Sequence, residues 1–114
     1  MHPLPTLLLL LTPQTIITLA LAQTSTVVVL PTPVTWQDAL AACQQLGHAI
    51  YPVPATPTDP VYEVLEAQPG PADRYWIARR RGGSCTCLSK NSNGVGGFVE
   101  EMPCEDLMPA FCQG

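Results

Sequence analysis

The sequence predicts an α+β fold: two helices packed on a small antiparallel sheet, with disulfides tying the parts together. Three observations carry this expectation. Helical apolar spacing occurs in two stretches, TWQDALAACQQLG and TDPVYEVLEAQPG. A β-branched run precedes the first helix, and several short strand patterns follow the second, which is the order of an α+β domain with a meander. All five cysteines, Cys43, Cys85, Cys87, Cys104 and Cys112, follow an apolar N-terminal stretch that reads as a secretory leader, so they are disulfide candidates before they are metal ligands.

The leader is LPTLLLLLTPQTIITLALAQ. Thr12, Pro13 and Gln14 interrupt it, so it lacks the run of about 20 apolar residues that a spanning helix needs. It ends on Ala20-Leu21-Ala22, small residues flanking one position, before polar Gln23. That pattern predicts a signal peptide over 1–22 and a secreted domain over 23–114, with no stable membrane insertion after cleavage. The start of the leader is weak, with His2 but no Lys or Arg. A retained anchor helix is the alternative, and the polar break fits a removable segment better. Eight of the 13 prolines cluster at Pro31–Pro33, Pro52–Pro60 and Pro69–Pro71, between the patterned segments, as loop punctuation.

STVVVLP is a first strand closed by Pro31. Thr35 then caps a helix, and Asp38 stands three residues on, where a capping-box carboxylate belongs. Trp36, Leu40 or Ala39, Cys43, and Leu46 or Gly47 recur on one face, and Gly47 supplies the stop. HAIYPVP is a short extended segment. In the second helix Asp59 caps, Pro60 fills the first turn and Pro69-Gly70 ends it, with Val61, Val64 and Leu65 as the apolar face. RYWIARR is a strand with Trp76 and Ala78 on one side. SCTCLSK is the next strand, Asn93-Gly94 a type I′ hairpin pair, and GFVEEMPC and MPAFC the last two strands.

Several chemistries find little support. A net charge of −4 argues against a nucleic-acid binder, which would present a basic face. His48 is the single histidine beyond the leader, and it follows a helix stop beside Ala49 and Ile50, so no nucleophile and base pair is visible. Glu100-Glu101 and Glu105-Asp106 are adjacent pairs, and adjacent strand residues point to opposite faces. Cys85-x-Cys87 with Cys104 and Cys112 far downstream is a poor zinc pattern, and no helix start is present to make it a redox pair. The expectation is a protein that is not an enzyme, with no cofactor and no metal.

Five features stand in one order: Trp36-x-x-Ala39-x-x-x-Cys43 on a helix, Tyr75-Trp76-Ile77-Ala78 on a strand, Cys85 or Cys87, Pro103-Cys104, and Ala110-Phe111-Cys112 at the end. Together they resemble the C-type lectin-like domain, over residues 26–114. The resemblance implies a Cys43–Cys112 disulfide between the first helix and the last strand. It also implies a second bridge from Cys104 to a cysteine on the strand after Tyr-Trp-Ile. Cys85 and Cys87 share one strand face and compete for it. The Gly82-Gly83 turn sets Cys85 at the strand entrance, which favours Cys85–Cys104, with Cys87 as the alternative partner. The cysteine left over is a buried thiol or a site of intermolecular pairing.

The departures from the family bear on function. The family's calcium and sugar chemistry sits in a long loop carrying E-P-N or Q-P-D. Here only Arg79 to Ser84 separate Ala78 from Cys85, and neither tripeptide occurs. Val99-Glu100-Glu101 stands where the family has W-N-D. Calcium, which takes six to eight oxygen ligands, is therefore not expected. Arg79, Arg80 and Arg81 are candidate anion or ligand contacts, as Arg forks suit planar oxyanions. A dibasic processing site is one alternative, and a charged strand end that blocks edge pairing is another. The implied function is a secreted, calcium-independent recognition module whose partner is an extracellular glycan or protein. The alternative is a small secreted cysteine-rich effector or surface protein with no lectin activity.

Overall fold

The computed structural model describes residues 26–114. The leader read at 1–22 lies outside the described residues, as do 23–25. The elements are β1 Val27–Val34, α1 Trp36–Gln45, β2 Ala49–Ile50, α2 Val61–Ala67, β3 Arg74–Trp76, β4 Cys85–Lys90, β5 Gly97–Met102 and β6 Met108–Gln113. The fold is α+β, two helices on a six-stranded sheet in a small cysteine-rich domain.

Local chemistry starts and stops the helices. The Asp38 N–H donates to Thr35 Oγ1 at 3.3 Å, which caps α1. At its other end Gly47 takes φ 78°, and the His48 and Gly47 N–H groups each donate at 3.0 Å, to the carbonyls of Cys43 and Gln44. This is a Schellman closure, and it needs a residue that tolerates the left-handed region. The buried face is Trp36, Ala39 and Cys43. Leu46 falls in the closing turn and is 55 % exposed, so it does not extend that face. In α2 the Val61 N–H donates to Asp59 Oδ1 at 2.9 Å, and the Tyr51 hydroxyl donates to the same oxygen at 2.7 Å. Val61 and Leu65 are buried.

The sheet order is β1-β6-β3-β4-β5, with β2 also pairing β6. It is mixed rather than purely antiparallel, because β3 runs parallel to β6 at Trp76↔Ala110. The last strand enters the middle of the sheet between β1 and β3. Alternation along a strand reports which face it buries, not which strand lies beside it. β1 continues through Pro31 and Pro33 to Val34, with a register irregularity between Leu30 and Val34. Pro31 was expected to end the strand. An edge strand accommodates proline because it has no donor to supply on its open side. The β4–β5 loop is also longer than a two-residue type I′ turn. It runs from Asn91 to Gly96, and the Asn91 and Asn93 side chains close it through bonds to Val95 O and Val95 N–H at 2.8 and 3.0 Å. Gly97 sits where α2 meets β5: a Cβ there would lie 2.5 Å from Leu65 Cδ2 and from Ser89 O.

The helices cover opposite faces. Trp36, Ala39 and Cys43 of α1 pack with Trp76, Cys85, Cys87, Ala110 and Cys112. Val61 and Leu65 of α2 pack with the alternate strand residues, including Tyr75, Leu88 and Phe111. The Tyr75 and Phe111 rings stack at 4.5 Å. Both tryptophans lie in the first cluster with their N–H groups satisfied: Trp36 Nε1 donates to Ile77 O and Trp76 Nε1 to Val34 O, each at 2.8 Å.

Two disulfides cross-link this frame. Cys43 joins Cys112 with Cα atoms 5.6 Å apart, and Cys85 joins Cys104 with Cα atoms 5.0 Å apart. The first spans 69 residues of sequence and the second 19. Loop-closure entropy assigns them about 4 and about 3 kcal/mol. Urea unfolding should therefore show a larger loss for the pair Cys43→Ala with Cys112→Ala than for Cys85→Ala with Cys104→Ala. A greater loss for the second pair would mean that native packing, not chain closure, sets the contribution of each bridge.

Candidate functional site

The arginine run occupies the turn between β3 and β4. Ile77 N–H donates to Thr86 O and Arg80 N–H to Thr86 Oγ1, at 3.1 and 2.9 Å, so the turn is anchored at its base. The three guanidinium groups then serve different ends. Arg79 lies 4.6 Å over the Trp36 ring. Its Nη2 also approaches the second bridge, 3.3 Å from Cys85 Sγ and 3.6 Å from Cys104 Sγ. Arg80 pairs with Glu101 at 2.9 Å. Arg81 is exposed and makes no ion pair among the described residues.

Glu100 and Glu101 are separated as strand alternation requires. Glu101 accepts from Thr86 Oγ1 and from Ser84 Oγ at 3.1 Å, and meets Arg80. Glu100 accepts from the Ser89 hydroxyl and from Arg74 Nε, the latter at 3.1 Å. The Ser89 bond, together with Arg74, holds the Glu100 carboxyl below the usual carboxylate range. Each acid thus has its own cation. Among the described residues, no group of three or more His, Cys, Asp or Glu is placed to hold a metal.

Cys87 is the thiol left over, fully buried beneath α1. Burial, in the main, pushes it up to about 11, with Glu100 adding and the nearby Ser89 hydroxyl opposing. Buried this way it offers no surface for pairing with another chain.

A concave surface lies beside the starts of β3 and β6. Two clefts of about 440 and 270 Å³ share Pro33, Pro71, Ala72 and Pro109, and so form one trough. Pro31, Pro33, Pro69 and Pro71 wall it, and Tyr75 and Pro109 lie buried at its floor. Leu107, 67 % exposed, stands on it with Asp73 and Asp106. Arg74 also lines it but is engaged with Glu100. The trough offers proline rings, a leucine and two carboxylates, which suits an apolar group beside a cation. Reading the prolines only as loop punctuation missed it. The available signal was the pair of Pro-x-Pro steps, Pro31-Thr32-Pro33 and Pro69-Gly70-Pro71.

No protein-family model matches this sequence, and no curated protein matches it.

Burial raises the pKa of a thiol and a phenol in this fold. Cys87 is raised to about 11, and Tyr51 to about 12, the latter by burial and then by its bond to Asp59. Both are held in their protonated forms by folding, so their contribution is complete below the ordinary values of 9.0 and 10.0 and is lost as pH rises through the folded ones. Thermal melts should hold steady up to pH ~9 and then fall through pH ~11, and Cys87→Ala should remove the first part of that fall. A profile in Cys87→Ala that overlays the parent would assign the decline to other groups.

Proposed function

We propose that this chain is a secreted recognition module of the C-type lectin-like kind. It binds a protein ligand without calcium and carries out no catalysis. The observation that carries this reading is the short Arg79–Ser84 connection. Its first two arginines are committed to Trp36, the second bridge and Glu101. The family's ion and sugar chemistry has no loop to occupy there. Glu100 and Glu101 face opposite sides and are each neutralised by an arginine, which supports the same conclusion. Two features favour protein over glycan. Trp36 and Trp76 are buried, so neither serves as a stacking platform for a sugar ring. The trough walled by Pro31, Pro33, Pro69 and Pro71 offers few hydrogen-bond donors for hydroxyls. Its carboxylates, Asp73 and Asp106, sit on a chain with net charge −4 and favour a ligand with an apolar side chain next to Lys or Arg.

The test is binding to two arrays, one of glycans and one of peptides presenting an apolar residue between basic residues. Each is run in about 1 mM calcium and in excess chelator, and with Leu107→Lys beside the parent. Peptide signals equal in both buffers and weakened about tenfold or more by Leu107→Lys are expected, a loss of ~1.4 kcal/mol. Leu107 is exposed enough that the substitution should leave the melt within ±0.5 kcal/mol or so. Melts with calcium and with chelator should also coincide. Saturation at 100 times a dissociation constant would add roughly 2.7 kcal/mol, several degrees in a domain this small. Such a rise, or glycan binding seen only with calcium, would overturn the reading.

A further inference from the structure

The second disulfide is asymmetric. Cys85 is fully buried, whereas Cys104 is partly exposed in the turn before β6, with its Sγ 3.7 Å from Gly83 O. A solvent thiol can therefore reach only the Cys104 end. An in-line attack there expels the Cys85 sulfur. Burial opposes a bare thiolate at that depth, as Cys87 two residues on illustrates. Cys85 has what Cys87 lacks: the Arg79 guanidinium, its Nη2 3.3 Å from Cys85 Sγ. The first bridge has neither feature. Cys43 and Cys112 are both fully buried, and the polar contact recorded for Cys43 Sγ is the Phe111 carbonyl at 4.0 Å, an acceptor.

We propose that Cys104 is a reversible thiolation site for small anionic thiols, with Arg79 holding the departing Cys85 thiolate. A thiolate RS⁻ attacks Cys104 Sγ. The R–S–S–Cys104 bond forms, the Cys85–Cys104 bond breaks, and the electron pair leaves on Cys85 Sγ beside Arg79. No external oxidant or reductant is consumed, and attack by Cys85 on the mixed disulfide restores the bridge. Cys87 shares the strand face of Cys85, but its protonated state keeps it out of the exchange at neutral pH. An anionic thiol is preferred because Arg79 lies beside the bridge, 3.6 Å from Cys104 Sγ, and Arg81, without an ion pair among the described residues, adds positive charge to the same turn. This inference is independent of the recognition reading, because it concerns the bridge and not the trough.

The experiment is exposure of the folded, oxidised protein to reduced glutathione near pH 7.5, with acid quenching, alkylation under denaturing conditions and peptide mapping. Cysteamine, a cationic thiol, is run in parallel. Glutathione should be recovered on Cys104, with Cys85 alkylated and Cys43–Cys112 still closed after at least ten times the exposure. Relative to their reactions with an uncharged small disulfide, glutathione should outpace cysteamine at low salt and lose that lead as salt rises. Arg79→Met should slow opening by about three- to tenfold, and Arg79→Lys should retain most of the rate. The sign separates this role from packing: if Arg79 only held the turn against Trp36, Arg79→Met would loosen the bridge and speed its opening. Adducts on Cys85 or Cys112, equal opening of the two bridges, or a faster Arg79→Met variant would each overturn the proposal.

Discussion

The closing strand is the constraint on which the rest of this structure depends. β6 is nearly wholly buried and lies between β1 on one side and β2 with β3 on the other. Cys112 near its end is bonded to Cys43 on α1. A strand late in the sequence is thus an interior strand of the sheet, paired with β1, β2 and β3. Most of the pairings in the sheet span long stretches of chain, and closing them costs loop entropy before any packing offsets it. The bridge limits that cost in the unfolded chain, which matters in a domain too small to bury a large core.

The two faces of the sheet solve different problems. The face under α1 carries the sulfur chemistry and both tryptophans. The indole N–H groups there donate to Ile77 and Val34 carbonyls, so the rings are buried without stranded donors. The face under α2 is built on stacked Tyr75 and Phe111 with Leu88 and Val61. Between them, Thr86 is a buried hydroxyl that links the arginine turn to Glu101. Among the described residues no buried side-chain nitrogen or oxygen lacks a partner. The charged groups nearest the core are matched one to one, Arg74 with Glu100 and Arg80 with Glu101. These pairs are partly exposed and contribute little to stability. They give Glu100 and Glu101 each a separate cation.

The arginine turn therefore acts inward more than outward. The stretch with the densest positive charge in the chain covers a tryptophan and a disulfide, while the broad concave surface lies beyond β3 and β6, among prolines. A run of charges in sequence reveals nothing of which partner each charge will meet. In a turn only six residues long, successive side chains diverge: Arg79 took a ring and two sulfurs, Arg80 took an acid, and Arg81 stayed exposed.

What the sequence by itself determined was local. Thr35 and Gly47 bounded α1, Asp59 opened α2, and the short runs SCTCLSK and MPAFC marked β4 and β6, because caps, turns and short strand runs depend on neighbours within a few residues. The Cys43–Cys112 pairing followed from the order of motifs and the resemblance they carry. The tertiary structure decided what depends on distant segments. It placed β3 parallel to β6, since neither strand's pattern encodes its neighbour. It allowed β1 to run through Pro31 and Pro33, since only an edge position excuses the missing donors. It fixed Cys85, which the Gly82-Gly83 turn had favoured, over Cys87 on the same strand face, because the position of Cys104 across the sheet decides between them. The same placement put Arg79 against one bridge and not the other, a contact between residues 6 and 25 positions apart that no local rule specifies.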